Sequence, residues 1–190
     1  MPLLISMMAL SVLTALAATL VLGTMTETAV AASYREGVET FYAAEAAVEF
    51  VIQDLAAASD WEGIVAGEQS STFVDGPPLG VRRVGAVLFD LAAATHDVVA
   101  ATAAYDDDRE YRMYAHGRLS DLLPGTATGS PYYVVVWIAG VGATDAERRS
   151  TISVVGRAYG PTGSRRSVVV TVNRADSDGM VRIVSWHELR

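Results

Sequence analysis

Residues 3–22 read LLISMMALSVLTALAATLVL, and residues 40–50 read TFYAAEAAVEF. Whether one helix runs through both stretches decides the fold. The first has no charged residue, and none precedes Glu27. About twenty residues at a rise of roughly 1.5 Å each span the ~30 Å hydrocarbon core of a bilayer. The spacing therefore predicts a transmembrane helix over residues 3–22. The second stretch keeps a helical pattern with acids in it, so the same helix is expected to continue outside the membrane as an amphipathic stalk over residues 23–58.

A cleaved signal peptide is the competing reading of the N-terminus. It requires a basic start, an apolar core of about 7–15 residues and a small-residue cleavage site. Ala29-Val30-Ala31-Ala32 would serve as such a site, but no Arg or Lys precedes the apolar run, which is also longer than that core. A retained helix explains more. Glu27, Glu36 and Glu39 follow the span with only Arg35 among them, a poor cytoplasmic flank under the positive-inside rule. A short leader upstream of Met1 is expected.

Along the stalk, Phe41, Val48, Ile52 and Leu55 recur at spacings of 7, 4 and 3, with Ala44 beside them. That is one stripe of a 3.6-residue helix, and it needs a partner, most simply a sheet in the same chain. Arg35, Glu36, Glu39, Gln53 and Asp54 fall off the stripe. Glu45 is the exception, within about 40° of Phe41 on the helical wheel. Either its stem packs while its carboxylate reaches water, or the charge is held for a partner's Arg or amino group. The neighbouring alanines, Ala43, Ala44, Ala46 and Ala47, either permit close helix approach or simply favour helix. Ser59-Asp60 offers an N-cap to a short helix from Trp61 that ends near Gly67.

After about residue 76 the pattern turns to β. Residues 79–88 form a strand candidate broken by Gly80 and Gly85, while 90–105 reads equally as alanine-rich helix or as strand around Val98-Val99. Residues 111–116 alternate as a strand does. Residues 132–138 are an unbroken β-branched and aromatic run. Residues 151–159 and 167–172 flank the turn Gly160-Pro161-Thr162-Gly163-Ser164, a hairpin signal. A last strand over 181–186 follows Asp176-Ser177-Asp178-Gly179. The expectation is three or four antiparallel C-terminal strands packed on the stalk's stripe, within a head of residues 59–190.

Composition narrows the chemistry. The chain has no Cys, which excludes disulfides and thiolate metal sites. Its basic residues are all Arg, and the net charge of −8 lies in the N-terminal 80 residues, which hold ten acids against Arg35 alone. The rest is near neutral, so global charge points to no polyanionic partner. His96, His116 and His187 show no metal-ligand spacing. Asp106-Asp107-Asp108-Arg109-Glu110 lacks the glycine and spacing of a calcium loop and reads as a solvated loop. Gly76-Pro77-Pro78-Leu79-Gly80 is a turn with no Lys to hold phosphate. The pairs Arg82-Arg83, Arg148-Arg149 and Arg165-Arg166 read as loop residues that would bind an acidic polymer only if they converged. No pattern here indicates a catalytic residue, a cofactor or a metal, and nucleic acid is not an expected partner.

Three segments carry a family resemblance: Met25-Thr26-Glu27-Thr28, Ser33-Tyr34-Arg35-Glu36-Gly37 and Phe41-Tyr42-Ala43-Ala44-Glu45-Ala46. With the preceding apolar helix they resemble type IV minor pilins with a PilX-type N-terminal domain. Asp60-Trp61, the run 70–76 and Ser185-Trp186-His187-Glu188 resemble that family more weakly. The resemblance covers about fifty residues. It implies an α+β type IV pilin-like fold, in which a long, partly transmembrane helix packs on an antiparallel sheet. It also implies an inner-membrane subunit with a periplasmic or extracellular head, which helps assemble or prime the pilus without enzymatic activity. Its partners would be other pilin-like subunits, the assembly machinery and membrane lipid. Residues 3–22 contain no glutamate, whereas many pilins carry one near the mature N-terminus to pair with a neighbour. A subunit without that charge suits a filament tip. Glu27, Arg35, Phe41, Ala44, Glu45 and Val48 are the candidate subunit-interface residues. A pseudopilin of a type II secretion system, or an anchored binding domain that never polymerises, remains an alternative on the same plan.

Overall fold

One helix, α1 (Pro2–Ala57), carries both the apolar run and the acidic stretch after it. The computed structural model describes residues 2–103, 109–122, 129–175 and 179–189, apart from the side chains of residues 145 and 146. The chain divides into two compact units, Met1–Val38 and Glu39–Arg190. The boundary at 58/59 marks the end of the helix, whereas the division between units falls inside it.

The first unit is helix throughout its described length, and its apolar side chains are exposed from Leu3 to Val30. It is long and apolar enough to cross a membrane as a single-pass anchor. Every hydroxyl within residues 3–22 bonds back to a carbonyl of the preceding turn: Ser6 to Leu3 and Ser11 to Met7 at 2.9 Å, Thr14 to Leu10 and Thr19 to Ala15 at 2.8 Å. No side-chain hydroxyl of the span then needs water, as a bilayer favours.

In the second unit, helix α2 (Trp61–Ala66) follows, with Asp60 accepting from the Gly63 N–H at 3.0 Å and Gly67 closing it at φ 82°. Strands β1 (Val81–Val84) and β2 (Val87–Asp90) form a hairpin around Gly85. The expected single strand over 79–88 is therefore a tight turn with two short arms, because Gly85 takes a positive φ of 56°. The ambiguous segment after it is helix α3 (Leu91–Thr102), started by Asp90, whose carboxylate accepts from the Ala93 N–H. The remaining elements are β3 (Arg112–Arg118), α4 (Leu119–Leu122), β4 (Tyr133–Gly140), α5 (Asp145–Ser150), β5 (Thr151–Tyr159), β6 (Arg165–Arg174) and β7 (Val181–Leu189). Helix α5 had no counterpart in the sequence reading, although Thr144 and Glu147 form its capping box. Backbone N–H donors at Thr144 and Ala143 hold the Glu147 carboxyl below its usual range. The acidic residues Asp106–Asp108 and most of the turn at 176–179 lie outside the described residues.

Strands β3 to β7 make one antiparallel sheet in sequence order: four C-terminal strands, and beside them β3, which falls on the strand read over 111–116. Both of its faces are covered, which is why β4 is apolar at every position from Tyr133 to Ala139. One face packs on α1 and α2; the other packs Tyr133, Val135, Trp137, Val155 and Val169 against Leu91, Ala94 and Val98 of α3 and Val84 of β1.

The buried stripe of α1 is Thr40, Ala43, Ala44, Ala47, Val48, Val51 and Leu55. This corrects the expected stripe: Phe41 and Ile52 sit half-buried at its margin. The reason is close approach. Alanines face the sheet, and on β5 Gly156 opposes them; a Cβ there would overlap Val48 Cγ2 and come within 3.0 Å of the Ala44 carbonyl oxygen. Glu39 and Asp54, which lie off the stripe as expected, hydrogen-bond from the helix to side chains of the head. Glu39 accepts from the Tyr132 hydroxyl at 2.7 Å, and Asp54 from Ser71 at 2.7 Å and Tyr114 at 3.1 Å. Burial, then the Asp54 carboxylate, pushes the Tyr114 phenol well above its usual range. At the helix end, Arg174 donates to the carbonyls of Leu55 (2.9 Å) and Ala58, while Trp61 Nε1 also donates to Leu55 at 2.8 Å. The Arg174 guanidinium lies over the Trp61 ring.

Candidate subunit interface

A helix about 10 Å across covers roughly two strands at ~4.8 Å spacing, so α1 cannot roof five. On the β3 side, the segment 71–75 fills the gap: Ser71 and Asp75 donate to the Tyr114 and His116 carbonyls, and Phe73 packs edge-on against Phe50. On the β6–β7 side a groove of about 280 Å³ remains, lined by Tyr42, Glu45, Ala46, Glu49 and Ile52 of α1 and by Val170, Ile183 and Trp186 of the sheet.

Register creates this groove. Thr171 pairs with Ser185 but Val172 with Ile183, so Val184 is an extra residue in β7. The bulge brings Ile183 and Trp186 onto the α1 face together. Both are about half exposed, and Tyr42 is 62% exposed. Phe41 stands edge-on to Trp186 at 6.0 Å and to Tyr42 at 5.7 Å. The result is an aromatic and aliphatic trough with two carboxylates, Glu45 and Glu49, one helical turn apart on its wall.

Four of the six candidate residues lie in the head unit. Phe41 and Glu45 are half-buried at the groove; Ala44 and Val48 are buried beneath it against Gly156, with their contacts inside the chain. Glu27 and Arg35 are exposed on the first unit. Tyr42, Glu49, Ile183 and Trp186 were missed as groove residues. Trp186 had a signal in the Ser185-Trp186-His187-Glu188 segment, but the bulge that aims it had none.

Five of the six arginines in the Arg pairs bond or pair within the chain itself. Arg82 donates to the Asp75 and Pro77 carbonyls and to the Tyr133 hydroxyl. Arg148 bonds the Gly142 carbonyl; Arg149 pairs with Glu62, Arg165 with Asp97 and Arg166 with Glu188. His116 is buried, with Nδ1 3.1 Å from the Tyr133 hydroxyl. Burial pushes that phenol up to about 12. Among the described residues, no group of three or more His, Asp or Glu side chains comes together as a metal site.

The architecture is thus α+β: a long N-terminal helix with an apolar, membrane-length segment, and a C-terminal antiparallel sheet. Compared with known proteins, the chain matches no family model, no curated protein and no solved structure.

Proposed function

We propose that this chain is a membrane-anchored, non-enzymatic structural subunit of the minor-pilin kind, acting in the assembly or priming of a type IV pilus. One observation carries the proposal: a single helix supplies both an uncharged segment whose hydroxyls are all internally bonded and a segment docked on a sheet. The resemblance over residues 25–46 agrees with it. In this reading the anchor lies in the inner membrane with the head on its outer side. The anchors of neighbouring subunits bundle in the filament core, and the half-buried Glu45 pairs with a neighbour's Arg or amino group, since a carboxylate covered without a partner is costly. A missing glutamate in residues 3–22 favours the filament tip.

The test is Glu45→Ala in the native producer. Incorporation into sheared, purified pili should fall severalfold while the membrane pool stays constant. Normal pilus number and normal incorporation would remove the pairing role. Pili devoid of the wild-type protein, beside a monomeric membrane pool, would overturn the filament reading in favour of an anchored binding domain.

A further inference from the structure

On the α3 face of the sheet, away from the groove, a cavity of about 520 Å³ is lined by Asp97 and Ala101 of α3, Arg157 of β5, Arg165, Arg166 and Ser167 of β6, and Leu189 of β7. From this cavity we infer a binding site for a small monocarboxylate, of the size of a sugar acid. The inference is independent of the filament reading.

Arg157 is the reason. It is 7% exposed, in a strand whose neighbours Val155 and Ala158 are fully buried. A guanidinium placed there is costly unless its charge is met. Inside the chain it is met only in part. Its Nε donates to Ser167 Oγ at 2.8 Å, which fixes the plane of the fork. The guanidinium also hydrogen-bonds the buried, neutral Tyr159 hydroxyl and lies 5.9 Å from the Trp137 ring centre, so its hydrogen bonds are largely met while its charge is not. Its Nη1 stands 4.0 Å from Asp97 Oδ2, beyond hydrogen-bond range. The same oxygen is 3.6 Å from Arg165 Nη1. One half-exposed carboxylate therefore serves two guanidinium groups and bonds closely to neither. Arg166 differs, being matched by Glu188 at 3.1 Å.

Ser167 adds a second polar group. It is 5% exposed, and its oxygen accepts from Arg157, which leaves its O–H free to donate. A pinned guanidinium fork beside a hydroxyl donor is the donor set for a planar carboxylate. Charge selects the ligand. Two guanidinium groups against Asp97 leave one positive charge, which a monocarboxylate neutralises. A dianionic phosphate would overshoot and face Asp97. The volume falls within the range of small-molecule sites, and Ala101 and Leu189 provide an apolar wall.

The test is calorimetric titration of the detergent-solubilised full-length chain with sodium glucuronate, against glucose and inorganic phosphate. Glucuronate should bind at about millimolar Kd or tighter, with glucose silent and phosphate weaker. Arg165→Met, at a mostly exposed side chain, should weaken glucuronate binding about threefold to tenfold. Asp97→Asn should tighten it about tenfold by removing the competing carboxylate. No glucuronate heat up to about ten times that Kd, equal binding of glucose, or an Asp97→Asn variant no tighter than wild type would each overturn the assignment.

Discussion

Gly156→Ala isolates the contact that seats α1 on the sheet. Gly156 has no positive φ, so its backbone admits alanine. In a strand interior that exchange should gain about 0.5–1 kcal/mol from reduced chain entropy. Here the new Cβ would overlap Val48 Cγ2 and approach the Ala44 carbonyl oxygen to 3.0 Å. Val48 is β-branched in a helix and has one strongly preferred rotamer, and the carbonyl belongs to the helix backbone, so neither neighbour yields cheaply. Overpacking of this kind costs about 1–3 kcal/mol, more than the entropic gain, so a net loss of about 1–2 kcal/mol is expected. For a head of this size that is roughly 2–8 °C in Tm. Val48→Ala alone removes two buried methyl groups at about 0.8 kcal/mol each, plus a cavity. Combined, the two changes should cost about what Val48→Ala costs alone, a coupling of about 1 kcal/mol or more. The assay is thermal unfolding of the four variants in one detergent, followed by tryptophan fluorescence. A stabilised Gly156→Ala, or strict additivity in the cycle, would refute the close approach as the cause.

Two further outcomes follow from the polar contacts. Arg174→Leu removes the guanidinium donor to the Ala58 carbonyl and leaves the Leu55 carbonyl with Trp61 Nε1, and it should lower stability by about 1–3 kcal/mol. Arg174→Lys should recover only part of this, because the ammonium lacks the fork; a lysine variant unfolding with wild type would contradict it. His116 is held below its ordinary 6.5, first by burial and then by Arg82, with Asp75 opposing. The unfolded chain takes up the proton as pH falls through about 6.5 while the folded one stays neutral, so stability should decline below that pH until the lowered folded value is reached. His116→Gln should flatten the Tm profile between about pH 7 and 5, and parallel profiles for the two proteins would exclude the histidine as its source.

Much of the fold is written locally and some of it is not. Asp60, Trp61 and Gly67 specify α2 through contacts a few residues apart, and they read correctly from the sequence. The unbroken apolar run of β4 announced a strand buried on two faces, yet only α1 was available as a cover. The second cover, α3, is hidden in an alanine-rich segment whose helix propensity and β-branched residues compete until tertiary packing decides. The stripe on α1 held at Ala44, Val48 and Leu55 but took in Phe41 and Ile52 in place of Ala43, Ala47 and Val51, because periodicity weights large side chains, whereas opposite Gly156 the sheet receives small ones.

The candidate sites sharpen this distinction. Arg157 was legible in principle: a lone charge in a run of buried residues asks for a counter-charge, and the structure supplies only part of one. The groove was not legible. Val170, Ile183 and Trp186 are ordinary strand residues, and strict alternation places Ile183 and Trp186 on opposite faces. One added residue, Val184, reverses that and sets them side by side next to Tyr42 and Glu45. Composition therefore gives the sheet, but the bulge gives it the groove. A bulge arises from pairing between β6 and β7, which no local pattern in either strand encodes.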